Sequence, residues 1–166
     1  MIAPRTLAQS FTGPYRVPNV RMTSTALLTN KTPSGTYRAP GRYEGSFFCE
    51  RLIELAARDL GIDSAEMRRR NLIAADEMPY QLSRLELGGP AVDTECDSGD
   101  YREPLERCLA EFGWEEKRAL QGREIDGHYH GVAVACFIEG GGAGPKETAP
   151  LVRWSSKRVS RKNGGA

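Results

Sequence analysis

Residues 13–73 read GPYRVPNVRMTSTALLTNKTPSGTYRAPGRYEGSFFCERLIELAARDLGIDSAEMRRRNLI, and the pattern changes character at Tyr43. From there Phe48, Leu52, Leu55 and Ala56 recur at i, i+4, i+7 and i+8, and Ile53, Ala57 and Leu60 widen the stripe. Glu50, Arg51, Glu54, Arg58 and Asp59 fall mostly on the other side. Apolar residues at that spacing predict an amphipathic helix, and Gly61 supplies a left-handed stop. Asp63-Ser64-Ala65-Glu66 follows, an Asp at the cap with a Glu three residues on. A second, short helix is therefore expected through Met67 to about Ile73, ending before Pro79. Arg68-Arg69-Arg70 on so short a helix reads as a solvated face rather than a nucleic-acid patch.

Working outward, the first forty residues carry no helical period. Pro4, Gly13-Pro14, Pro18, Pro33, Gly35 and Gly41 punctuate extended stretches, of which Val20 to Asn30 is the best strand candidate. Downstream, residues 79–98 read as a polar connection with a turn at Gly88-Gly89-Pro90. Asp97 or Ser98 is placed to cap a third helix with Leu105, Cys108, Leu109 and Phe112 as its apolar face and Gly113 as its end. The run Gly131 to Ile138 is nearly all apolar, which predicts a strand buried on both faces. It leads into Glu139-Gly140-Gly141-Gly142-Ala143-Gly144-Pro145.

The 166 residues suffice for one modest core. Hydrophobic residues at 39% and charged ones at 27% mark a globular rather than a disordered chain. A net charge of +1 gives no reason to expect nucleic acid or an anionic membrane as a partner, and the longest apolar run, Val132 to Ile138, is too short to span a bilayer. The charge is uneven, because residues 151–166 hold Arg153, Lys157, Arg158, Arg161 and Lys162 and no acid. Cys49, Cys96, Cys108 and Cys136 are widely spaced with no C-x-x-C pair, so free thiols in a reducing cytoplasm are the reading, with no metal site.

Three further patterns carry possible chemistry. The glycines at 140–145 follow an apolar run but do not match G-x-G-x-x-G, so a tight turn is favoured over a phosphate cradle. His128 and His130 alternate and would share one strand face, yet two histidines without a third ligand make a poor metal site. The loop Tyr37-Arg38-Ala39-Pro40-Gly41-Arg42 combines cations with a glycine and a proline, which on residue chemistry alone suits a surface turn better than a ligand site.

Order and spacing say more than any one of these. GPY-x-x-P at 13–18, TN-x-TP at 29–33, YR-x-x-GR-x-E at 37–44, an amphipathic helix and a closing RRRNLI at 68–73 follow one another. This succession resembles the large subunit of the xanthine dehydrogenase, aldehyde oxidase and aerobic carbon monoxide dehydrogenase superfamily, the molybdenum hydroxylases. DSGDY from Asp97 and GVAVACFIEGGGAGPKETA over 131–149 look like a later part of the same subunit.

The resemblance implies an α+β piece of the molybdopterin-binding domain, with two or three amphipathic helices and short mixed strands. It places residues 1–78 in a first molybdopterin-binding domain, 79–130 in a connection with one helix, and 131–166 at the start of a second with an atypical basic tail. It implies molybdenum–molybdopterin in the cytosine dinucleotide form, with iron–sulfur clusters and FAD on partner subunits only. The partners implied are those two subunits, the remainder of the large subunit and a small-molecule substrate.

Residue by residue, Arg38 would be the cofactor-side arginine, with Tyr37, Ala39, Gly41 and Arg42 completing the loop and Pro40 facing substrate. Carbon monoxide oxidisers carry cysteine where this chain has Ala39, and purine oxidisers carry phenylalanine where it has Pro40. The resemblance therefore implies hydroxylation of an aldehyde or N-heterocycle with oxygen from water. The family's catalytic glutamate lies further C-terminal than Glu139 and Glu147, so no catalytic residue is assigned. A non-catalytic remnant or interaction module without cofactor is the alternative.

Overall fold

The longest helix, α2 (Arg42–Leu60), ends where Gly61 takes the left-handed conformation (φ 64°) and sends its N–H back to the Ala57 and Arg58 carbonyls. Helix α3 (Ser64–Asn71) then starts on Asp63, whose carboxylate accepts the Glu66 N–H at 3.0 Å. Only half of the expected box forms, since the Glu66 side chain turns to Arg70 instead, 2.7 Å away. The computed structural model describes residues 2–33, 35, 37–83 and 94–138.

The buried side of α2 is not the expected stripe. Gly45, Cys49 and Ala57 are buried, with Ile53 half-buried between them, whereas Phe48 and Leu52 are 49% and 56% exposed. Gly45, Cys49 and Ala57 are small, and they occupy this face together with Ile53 in place of Phe48 and Leu52. At Gly45 a Cβ would lie 3.3 Å from the Leu7 carbonyl oxygen, so α2 touches the preceding helix there almost backbone to backbone. That helix, α1 (Ile2–Gln9), was not legible in the sequence. Pro4 fits a first turn, where no N–H is needed, but no acidic or capping residue announces the helix. It is held by packing on α2, with Ala8 buried.

After α3 a 3-10 turn (Ala75–Glu77) leads to β1 (Tyr80–Gln81), which pairs antiparallel with β2 (Glu95–Cys96), Tyr80 opposite Cys96. The predicted turn at residues 88–90 lies outside the described residues. Helix α4 (Arg102–Phe112) is capped by Asp100 rather than Asp97 or Ser98: its carboxylate accepts the Arg102 and Glu103 N–H groups at 3.0 and 3.1 Å. Its buried face is narrower than expected. Leu105 and Leu109 are inside, while Cys108 and Phe112 are exposed. Gly113 then begins α5 (Trp114–Arg118), which buries Trp114. A hairpin closes the described fold, β3 (Glu124–Ile125) against β4 (His128–Tyr129). Its turn residues Asp126 and Gly127 both take positive φ, as a two-residue hairpin turn of this hand demands.

Two expected strands are corrected. Val20 to Asn30 forms no strand and is mostly exposed, with no alternating face to bury. Residues 131–138 are extended but pair with no strand among the described residues. They bury one face, not two: Val132, Val134, Cys136 and Ile138 are half-buried against the core and the residues between them are exposed.

The main core joins Tyr15, Cys49, Ala65, Leu72, Leu105, Leu109 and Trp114. A smaller one holds Ile73, Leu82 and Cys96. The GPY segment is stitched to the end of α3 by an antiparallel bridge between Tyr15 and Leu72, with Arg16 N–H to Asn71 O at 2.8 Å and Ile73 N–H to Pro14 O at 3.0 Å. The first and last motifs of residues 13–73 thus meet. The architecture is α+β with very little β.

Candidate functional site: the loop before α2 and the charge pair beneath it

The loop 37–42 makes a tight reversal into α2. Ala39 (φ 53°) and Gly41 (φ 83°) both lie in the left-handed region on either side of Pro40. Gly41 adopts it freely, while Ala39 is uncommon there. The Arg42 N–H closes the turn on the Ala39 carbonyl at 2.9 Å, and Gly45 N–H reaches the Gly41 carbonyl at 2.9 Å to start the helix. From the other side the Thr6 hydroxyl of α1 donates to the Pro40 carbonyl. Tyr37 is exposed and meets Tyr43 edge-to-face, with centroids 6.4 Å apart.

Arg38 is exposed and pairs with no described residue. Gly41 is buried, and Ala39, Pro40 and Arg42 are half-buried. The loop therefore presents a guanidinium with no partner among the described residues at the positive end of a 19-residue helix, and both features favour an anion.

Beside the loop, α1, α2 and residues 22–25 enclose an open groove of about 630 Å³. Leu7, Phe11, Met22, Phe48 and Leu52 give it apolar walls, and Gly41 and Glu44 put it directly against the loop. One oxygen of Glu44, Oε2, is buried with no hydrogen-bond partner among the described residues.

Beneath this layer sits a charge cluster that the sequence reading missed. Arg68 is 1% exposed, so the solvated-face reading of the arginine triplet fails at its first member. Its Nε and Nη2 donate to Glu50 Oε2 at 3.0 and 2.6 Å. Its Nη1 donates to Glu54 Oε2 at 3.2 Å and to the Ser64 carbonyl and hydroxyl at 2.8 and 2.6 Å. The other Glu50 oxygen accepts from the Tyr15 hydroxyl. Arg69 forks onto both oxygens of Glu106 at 2.6 and 3.0 Å, and only Arg70 lies mainly in solvent. A signal existed in principle, since Glu50 and Glu54 flank the small-residue face of α2. Neither could be assigned to Arg68 without knowing how α3 folds back.

Burial alone would depress the Arg68 guanidinium, but the charge and hydrogen bonds of Glu50 hold it above its ordinary value. Burial, reinforced by the bond to Glu50, pushes the Tyr15 hydroxyl far above the usual phenol range. Burial also pushes the Cys49 thiol from 9.0 up to about 11, with the Glu50 charge adding to the effect. In each of the last two groups the folded state holds its proton more tightly than the unfolded chain. Their contribution to stability is therefore complete below the unfolded value and is lost as pH rises through the folded one. Urea midpoints should fall between pH 9 and 11, and Cys49→Ala should flatten that fall; a midpoint flat over this window in the parent chain would refute the assignment.

Other candidates resolve simply. His128 Nδ1 lies 2.9 Å from the Asp126 carbonyl within the hairpin turn. No group of three or more His, Cys, Asp or Glu side chains among the described residues could hold a metal ion, and all four cysteines are free thiols. No helix among the described residues is long and apolar enough to cross a membrane. Glu139, Glu147, the glycine-rich turn and the basic tail lie outside the described residues.

Comparison with known proteins bears on the same region. Residues 1–72 match the model of the molybdopterin cofactor-binding domain. The gamma subunit of the 6-hydroxypseudooxynicotine dehydrogenase complex of Paenarthrobacter nicotinovorans is 37% identical over 93% of this chain and 19% of its own length. The carbon monoxide dehydrogenase large chain of Hydrogenophaga pseudoflava is 30% identical over 84% of this chain and 17% of its own. A solved carbon monoxide dehydrogenase from Oligotropha carboxidovorans aligns over 47% of this chain and 9% of its own, at 32% identity and a TM-score of 0.39. The chain thus spans about a fifth of the length of the curated relatives it matches. With its loop, its closing arginines and its GPY segment inside or at the edge of the matched stretch, the chain belongs to the molybdopterin-binding large subunits of the molybdenum hydroxylases.

Proposed function

We propose that this chain forms the cofactor-side layer of a molybdenum hydroxylase large subunit, with the loop 37–42 facing the molybdopterin. The observation that carries this reading is the exposed guanidinium of Arg38, without a partner among the described residues and held on a tight loop at the N-terminus of α2. The residues fit an anionic group. Arg38 can place two parallel N–H donors on its oxygens, Gly41 has no Cβ to keep a ligand off the backbone, and the Thr6 bond to Pro40 braces the loop. Tyr37, Ala39, Pro40 and Arg42 would complete the wall, with Pro40 on the substrate side. When bound, the molybdenum–pterin group, in its cytosine dinucleotide form, supplies the two-electron chemistry; the protein binds and orients.

The substrate in this reading is an aldehyde or an N-heterocycle, hydroxylated with oxygen from water. Ala39 stands where a carbon monoxide oxidiser has cysteine, and Pro40 offers no ring to stack on a purine. Electrons would leave through an iron–sulfur subunit to an FAD subunit, in the cytoplasm. The test is to coexpress the chain with the remaining large-subunit segments and both partner subunits, then measure molybdenum by mass spectrometry and pterin by fluorescence. Near-stoichiometric metal and pterin are expected. An assembled complex lacking both would leave the chain a non-catalytic interaction module.

A further inference from the structure

We infer that the groove between α1 and α2 is the surface on which the rest of a molybdenum hydroxylase large subunit packs. The inference rests on the functional reading above and adds to it the place of contact. Helix α2 turns Gly45, Cys49 and Ala57 inward and leaves Phe47, Phe48 and Leu52 exposed, apolar side chains that a self-sufficient helix would bury. Of the eleven large hydrophobic residues that are exposed among the described residues, eight lie between positions 27 and 60: Leu27, Leu28, Tyr37, Tyr43, Phe47, Phe48, Leu52 and Leu60. Two of them, Phe48 and Leu52, line the groove, and an exposed apolar groove is a candidate interaction site.

Phe48 and Leu52, one helical turn apart, line the groove itself, and Phe47 leans edge-on against Phe48 with centroids 5.7 Å apart. The walls are mostly apolar, so the occupant must bring apolar side chains. The relatives name the source: the matched stretch is only 19% and 17% of the first two, so most of each subunit lies outside it.

The test coexpresses the chain with a stated probe, the gamma subunit of the Paenarthrobacter nicotinovorans complex from which its own matched 163-residue stretch has been removed. Copurification is expected, with slowed hydrogen exchange across residues 47–52. The double variant Phe48→Glu/Leu52→Glu should reduce capture about tenfold or more, while Tyr129→Glu, an exposed aromatic on the hairpin, leaves it unchanged. Exchange protection reports on the parent chain even if the double variant misfolds. No capture, or protection elsewhere than α2, overturns the assignment. So does a homodimer that Phe48→Glu dissolves, since a second copy would then fill the groove. A pair that holds molybdenum but ignores the double variant overturns the surface and leaves the functional reading standing; a pair joined through the groove without molybdenum does the opposite.

Discussion

Arg68→Met is expected to lower the unfolding free energy by about 3–5 kcal/mol, the usual cost of removing one member of a buried ion pair. Methionine fills the stem of the arginine but leaves Glu50, whose side chain is only 11% exposed, with a charge and no cation. The Tyr15 hydroxyl would then face that carboxylate alone. Three segments share the damage, because Glu50 and Glu54 belong to α2, Ser64 and Arg68 to α3, and Tyr15 to the GPY segment. Urea unfolding at pH 7 reads the loss. The double variant Arg68→Met/Glu50→Leu should recover a large part of it, since an apolar pair of similar size removes the unpaired charge rather than exposing it. A single variant within about 1 kcal/mol of the parent would mean that the pair is weak, and that the core rather than the cluster joins these segments.

That cluster also shows what the sequence could and could not convey. The end of α2 and the start of α3 were legible because they depend on local chemistry: Gly61 has no Cβ to oppose the left-handed stop, and Asp63 has an acceptor at the right reach. Faces were less legible. The spacing announces a helix correctly and places Ile53 and Ala57 on the inner side, but it also puts Phe48 and Leu52 there, because the close approach that Gly45 allows is something hydrophobic periodicity does not measure. Arg68 was unreadable for a related reason. Its burial depends on two acids about 14 and 18 positions earlier meeting it across a helix turn, a relation that no window along the chain contains. The two-sided strand at 131–138 does not form because apolar composition alone does not fix how many faces are buried, and alternate residues there remain in solvent.

The loop stands at the other extreme, since its residues adjoin in sequence and its geometry is local. Ala39 and Gly41 in the left-handed region fix the backbone, Thr6 braces it, and Arg38 is exposed with no partner among the described residues. Removing a side chain that no described residue depends on separates function from stability. In the assembled complex, Arg38→Ala is expected to reduce pterin retention on the order of a hundredfold, the combined effect of two charge-assisted hydrogen bonds. The urea midpoint of the isolated chain should stay where it is. Arg38→Lys should restore little, because an ammonium is a point charge and cannot reproduce two parallel donors. Equilibrium dialysis followed by pterin fluorescence measures the retention. Should Arg38→Ala keep its pterin while Arg42→Ala loses it, the cofactor-side cation is the one inside the turn, and the assignment moves four residues along the same loop.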